Sequence, residues 1–189
     1  MRLVFGVGIN DADYVVQPNV DGKQVACQYY TRWKDMLRRC YDKVRMAKYP
    51  TYSDCTICAE WLVFSNFKSW MELQNWKGNH LDKDLLVAGN KMYSPETCVF
   101  VSPLVNTFLL ESDSIRGEYP IGVTFSKKAS KYSAECKNLG GKRIWIGYYF
   151  TPEEASFAYR EVKYKLALQL AAIQPDPRVS RALIERYKI

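Results

Sequence analysis

The sequence predicts an α+β protein in which a helix pair and a hairpin–helix core precede a three-stranded antiparallel sheet packed on one helix. Three observations carry that expectation. Apolar residues recur three and four apart over residues 29–44 and again over 151–173, the spacing of a helix with one buried face. Between residues 121 and 150, "IGVTFSKK", "KYSAECKN" and "KRIWIGYYF" are short β-branched and aromatic runs joined by connections such as "LGG", which read as hairpins. The chain has 189 residues, 48% apolar and 25% charged, enough for one domain with a real core or two small ones.

Each element follows from local chemistry. Residues 1–27, with Gly6, Gly8, Asn10, Pro18, Asp21 and Gly22, lack periodicity and read as an N-terminal arm. In "YYTRWKDMLRRCYDKV", Tyr30, Trp33, Met36, Leu37, Cys40 and Tyr41 form a core stripe, and Arg32, Lys34, Arg38 and Lys43 take the far side. After a loop at Pro50, "CTICAEW" reads as a strand with Cys55, Ile57 and Ala59 on one face. "FSNFKSWMELQ" reads as a second helix, with Ser65 as N-cap and Phe64, Phe67, Trp70 and Met71 in one stripe. A hairpin over residues 79–102 leads to the helix "PLVNTFLLES", which Pro103 can open. "DSIRGEYP" marks a boundary, giving a core over 28–115 and a second domain over 116–174. There, "TPEEASFAYREVKYKLALQLAAI" has Thr151 as N-cap, Pro152 in the first turn, and a stripe of Ala155, Ala158, Tyr159, Val162, Leu166 and Leu170. Residues 175–189 read as a short appended helix.

Charge is unevenly placed. Residues 116–189 hold 14 Lys/Arg against 7 Asp/Glu, whereas 1–115 hold 13 of each, so the net charge of +7 belongs to the last third. Such asymmetry suggests a basic module for an anionic partner, most economically nucleic acid. No run of about 18 apolar residues is present, and the N-terminus is too polar for a signal peptide, which leads to the expectation of a cytoplasmic protein without a membrane partner. Of the six cysteines, only Cys55 and Cys58 have metal-type spacing, and no second pair completes four ligands, so structural zinc is not expected.

Strand alternation places Lys131, Ser133, Glu135 and Lys137 on one side of "KYSAECKN", and Arg143 with Trp145 on one side of the next strand. A sheet face bearing them can track phosphates while guanidinium and indole approach base edges in the major groove. These residues carry a resemblance. "GVTFSKKASKYSAECKNLGGKRIWIGYYFTPEEASFAYREVK" resembles the Apetala-type, or ethylene-response-factor, DNA-binding domain. It matches that domain's Gly-Val start, its "KYSAE" strand, its Arg-x-Trp-x-Gly strand and its "TPEEASFAY" helix. The resemblance implies a double-stranded DNA partner contacted by Arg143 and Trp145. Where the family carries arginines on the first strand, Thr124 and Ser126 stand here, which leaves Lys127, Lys128 and Lys131 for backbone contacts.

The central stretch "NHLDKDLLVAGNKMYSPETCVFVS" sets His80, Asp82 and Asp84 at alternate positions, sharing a face if the strand runs through all three. His80 could then act as base or ligand and Asp84 as a second carboxylate; the bland reading of Asp82 and Asp84 is a pair of turn-capping groups. With "RCY" at Arg39, "CAEW" at Cys58, "LDK" at Leu81 and "GNKMYSPETC" at Gly89, residues 28–110 resemble phage-encoded, homing-endonuclease-like HNH proteins of the ββα-metal fold. In that group an HNH core followed by an Apetala-type domain is a known pairing. The resemblance implies Mg²⁺ or Mn²⁺ held by Asp82 and Asn106, water prepared by His80 or Asp84, and Lys83 on the phosphate. It also places Lys83 where active members carry histidine, and lysine, an acid at neutral pH, is a poor general base. A second reading is a non-catalytic regulator, or a protein that blocks a host enzyme by direct contact.

Overall fold

The computed structural model describes residues 3–52, 54–110 and 117–189, and the chain divides into two compact units, Met1–Val101 and Ser102–Ile189. The architecture is mixed α+β. The expected boundary at 115/116 lies outside the described residues.

In the first unit, α1 (Gln28–Tyr41) buries Tyr30, Trp33, Met36, Leu37 and Cys40, the expected stripe. Asp42 then ends it and caps α2 (Lys43–Lys48) by accepting from the Val44 and Arg45 amides. A 3-10 turn, Pro50–Tyr52, leads to β3 (Thr56–Ile57), following the N-terminal hairpin strands β1 (Asn19–Val20) and β2 (Lys23–Gln24). The expected "CTICAEW" strand is cut to two residues because the chain coils at Cys58 into a 3-10 turn, Ala59–Leu62, which drives Trp61 into the core and leaves Ala59 exposed. α3 (Phe64–Glu72) packs on α1 through Phe64, Phe67 and Met71. Rings from these elements interlock, with Trp61 4.5 Å from Trp70 and Trp33 5.4 Å from Phe64 between centroids.

The N-terminal segment is part of this core and not an arm. Val4, Phe5, Val7, Ala12 and Val16 pack against it, and Ile9 pairs with Val63 as a parallel bridge. Gly8 is required there: an added Cβ would lie 2.5 Å from Leu37 and 3.0 Å from the Trp33 ring. The cap of α3 also comes from this segment. Val63, not Ser65, holds the N-cap position, and the Asp11 carboxylate accepts from the Ser65 amide at 2.9 Å and from its hydroxyl.

The hairpin of the first unit is β4 (His80–Asp82) against β6 (Val99–Val101), antiparallel, with His80 opposite Val101 and Asp82 opposite Val99. β5 (Met92–Tyr93) lies between them in sequence and pairs instead with β3, in parallel.

The second unit begins with α4 (Pro103–Leu109), capped by the Ser102 hydroxyl. The strands β7 (Val123–Ser126), β8 (Lys131–Lys137) and β9 (Arg143–Tyr149) form an antiparallel sheet in that order. α5 (Pro152–Ala172) covers one face, starting from a full capping box between Thr151 and Glu154. Val123, Ala134 and Ala155 are buried between sheet and helix. Gly122, at φ +76°, lets β7 pass close to α5, since a Cβ would meet the Tyr159 ring at 2.1 Å. α6 (Pro177–Tyr187) buries Val179 and Leu183, and Tyr187 packs its ring 5.1 Å from that of Phe108 in α4. The last helix is thus integral to this unit, and so is α4, whose expected place was with the preceding hairpin.

Candidate nucleic-acid interface

The face of the β7–β9 sheet opposite α5 is open. Cross-strand pairing sets Lys137 beside Arg143 and Glu135 beside Trp145, so the expected quartet of Lys131, Lys137, Arg143 and Trp145 shares a sheet with one uncovered side. Arg143 is exposed and its guanidinium lies 3.3 Å from the Glu135 carboxylate, a surface pair of little stabilising value. Glu135 is also the cross-strand neighbour of Trp145, which is 58% exposed. Lys127 and Lys128 are exposed in the β7–β8 turn, and Lys142 is exposed in the turn at the other end of β8. β8 has seven residues, so these cationic ends stand on the order of 20 Å apart, enough to reach both rims of a major groove about 12 Å wide.

One feature of this face escapes strict alternation. Pairing runs from Glu135–Trp145 to Ala134–Gly147, leaving Ile146 as a bulge. The bulge switches the parity of β9, so Tyr148 is exposed and Tyr149 packs inward, the reverse of an uninterrupted strand. Tyr148 joins Trp145, with centroids 5.5 Å apart, and exposed Phe150 carries the Lys131 ammonium 4.4 Å from its ring centroid. The Gly147 of the Arg-x-Trp-x-Gly motif, directly after the bulge, is the one local signal of this change.

The central stretch is arranged differently. Its strand ends at Asp82, so Asp84 does not continue the face of His80 and Asp82. Asp82 Oδ1 accepts from the amides of Asp84 at 3.0 Å and Leu85 at 2.7 Å, the geometry of a turn-closing aspartate. Burial, and then the neighbouring Asp84 carboxylate, push the Asp82 carboxyl above its ordinary pKa. Lys83 does not reach out as a phosphate contact: it is 8% exposed, and its ammonium donates to Asp84 Oδ2 and to the Asn90 carbonyl, each at 3.1 Å. The Asn90 amide answers by donating to the carbonyls of Lys83 and Met92 at 2.6 Å, which locks the loop. His80 is exposed at the start of β4.

Two of the carboxylates expected at a divalent ion are engaged within the loop. Asp82 Oδ1 accepts from the two turn amides, Asp84 is turned to Lys83, and Asn106 lies on α4. Among the described residues, no three His, Cys, Asp or Glu side chains are grouped to hold a metal. Cys55 is buried, with its thiol pushed up by that burial, and Cys58 opens the 3-10 turn. No described helix is long and apolar enough to cross a membrane.

Comparison with known protein families, with curated proteins and with solved structures found no match.

Proposed function

We propose that the chain is a phage-type double-stranded DNA-binding protein that docks through the open face of β7–β9. The observation that carries this reading is the gathering of Lys137, Arg143, Trp145 and Tyr148 on one uncovered sheet face flanked by cationic turns. Lysines at the turns suit phosphates on both rims of the groove, and Arg143 suits a guanine edge. Glu135, which would repel phosphate, suits the amino group of cytosine, a donor offered inside the major groove. This role places the protein in the cytoplasm of the cell that houses the DNA.

For the β4–β6 hairpin we propose a structural part and not a hydrolytic one. The position of the missing histidine holds a buried lysine, and the carboxylate that would bind metal closes a turn. Binding is tested by fluorescence anisotropy on a labelled duplex, where Arg143→Ala and Trp145→Ala should each weaken affinity tenfold or more. Wild-type affinity in both variants would overturn the docking face. Plasmid nicking in Mg²⁺, Mn²⁺ or Zn²⁺ tests the hairpin, and cleavage lost in Asp82→Ala would restore the enzyme reading.

A further inference from the structure

The first unit, with 13 Lys/Arg against 11 Asp/Glu, is close to balanced in charge as a whole but polarised within. Residues 38–52 hold Arg38, Arg39, Lys43, Arg45 and Lys48 against one acid, Asp42. That carboxylate is occupied as the cap of α2, accepting from the Val44 amide at 2.9 Å and the Arg45 amide at 3.2 Å. Of the other acids nearby, Asp35 pairs with Arg38 and Asp84 with Lys83, while Asp54 follows the segment.

The cations are interleaved with tyrosine rings. The Arg45 guanidinium lies 5.2 Å and the Lys48 ammonium 5.6 Å from the Tyr49 centroid, and Tyr49 is 41% exposed. Arg39 lies over Tyr52 at 6.0 Å and donates to the Tyr93 hydroxyl at 3.4 Å. Among the described residues it forms no ion pair with a carboxylate. Arg45 likewise keeps a buried Nε without a hydrogen-bond partner. The patch is continuous, since the Tyr52 amide donates to the Tyr49 carbonyl and the Lys91 ammonium reaches the Thr51 carbonyl between them. Placing guanidinium groups partly out of water without an anionic partner is costly unless an anion arrives from outside.

We propose that Arg39, Arg45, Lys48 and Lys91, with Tyr49 and Tyr52, form a second nucleic-acid contact surface on the first unit, one that grips phosphates without reading sequence. The inference rests on the DNA-binding reading above. Forked guanidinium donors match phosphate oxygens, and flat rings beside them accept sugars or bases, a combination that acidic peptides do not call for. This surface adds to the affinity and to the salt dependence of binding.

The test uses the full chain and a 30-base-pair duplex of arbitrary sequence, with anisotropy titrations over a series of KCl concentrations. The triple variant Arg45→Ala, Lys48→Ala, Lys91→Ala should lose at least tenfold in affinity at low salt. Its slope of log affinity against log salt should be shallower by about 2 to 3, since each lost phosphate contact removes about 0.9. A thermal transition within a few degrees of wild type shows that the fold is kept; a second variant, Tyr49→Ala, should lose affinity with the slope unchanged. Unchanged affinity and slope in the triple variant, with binding lost in Arg143→Ala, overturns the second surface and leaves the sheet reading intact. No DNA binding by the wild type overturns both. Loss of binding to vesicles of anionic lipid, with DNA affinity untouched, assigns the patch to a membrane surface and overturns the proposal.

Discussion

Replacing Asp82 by asparagine and by alanine separates a structural carboxylate from a metal ligand. Asparagine keeps an oxygen where Asp82 Oδ1 accepts from the Asp84 and Leu85 amides, whereas alanine removes both bonds. Leu85 is buried, so alanine leaves its amide without an acceptor and without easy access to water. Loss of such a cap and an unsatisfied buried donor together cost about 2 to 3 kcal/mol. In a unit of this size that lowers the melting temperature by on the order of 10 °C.

The pH dependence has a definite sign. The Asp82 carboxyl is raised by burial and by Asp84, so the folded state holds its proton more tightly than the unfolded chain does. Its contribution to stability is most favourable below the ordinary carboxylate value of 3.8 and is lost as pH rises through the folded-state value. Above that range the folded state bears a cost of ionising or of holding the proton that asparagine lacks. Asp82→Asn should be at least as stable as wild type at pH 7, and the difference should close as pH falls below about 4. Calorimetry of the three proteins at pH 7 and pH 4 reads this directly. An Asp82→Asn variant as damaged as Asp82→Ala would refute the turn-closing account, as would a gap from wild type that ignores pH.

Lys83→Met fills the same volume but leaves the Asn90 carbonyl without its donor; it should cost about 1 to 2 kcal/mol in thermal unfolding and leave duplex affinity within about twofold. A large loss of DNA affinity would mean that Lys83 reaches phosphate after all. Gly122→Ala meets both a positive φ and the Tyr159 ring, and should destabilise the second unit by about 3 kcal/mol or more in chemical denaturation. Asp11→Ala should destabilise the first unit by about 1 kcal/mol, more than Ser65→Ala, because the amide cap of α3 is the aspartate and not the serine.

Which parts of the fold were legible in the sequence follows from how local their causes are. α1 and α5 were readable because a single stripe and a cap decide them; the Thr151–Glu154 capping box lies within four residues. The three strands were readable from alternation and turn glycines. Long-range causes were not: Ile9 pairs with Val63, Gly8 slips under Trp33, and β3 pairs with β5 across more than thirty residues. None of these leaves a periodic trace. The candidate interface shows the same division. Arg143 and Trp145 precede the bulge and keep the expected parity, whereas Tyr148 follows it and cannot be placed by counting. In the central stretch, a chain reversal directly after Asp82 turned Lys83 inward, and a strand pattern could not report it.

The docking face is tested most directly by the indole resonances of the five tryptophans in an ¹⁵N-labelled full chain titrated with duplex DNA. Trp33 and Trp61 are fully buried, Trp76 is 9% exposed, Trp70 is half-buried, and Trp145 alone is exposed on the sheet. The account predicts that the Trp145 indole signal moves and saturates with DNA while those of Trp33 and Trp61 stay in place. A Trp145 signal that does not move while the protein binds DNA would contradict it.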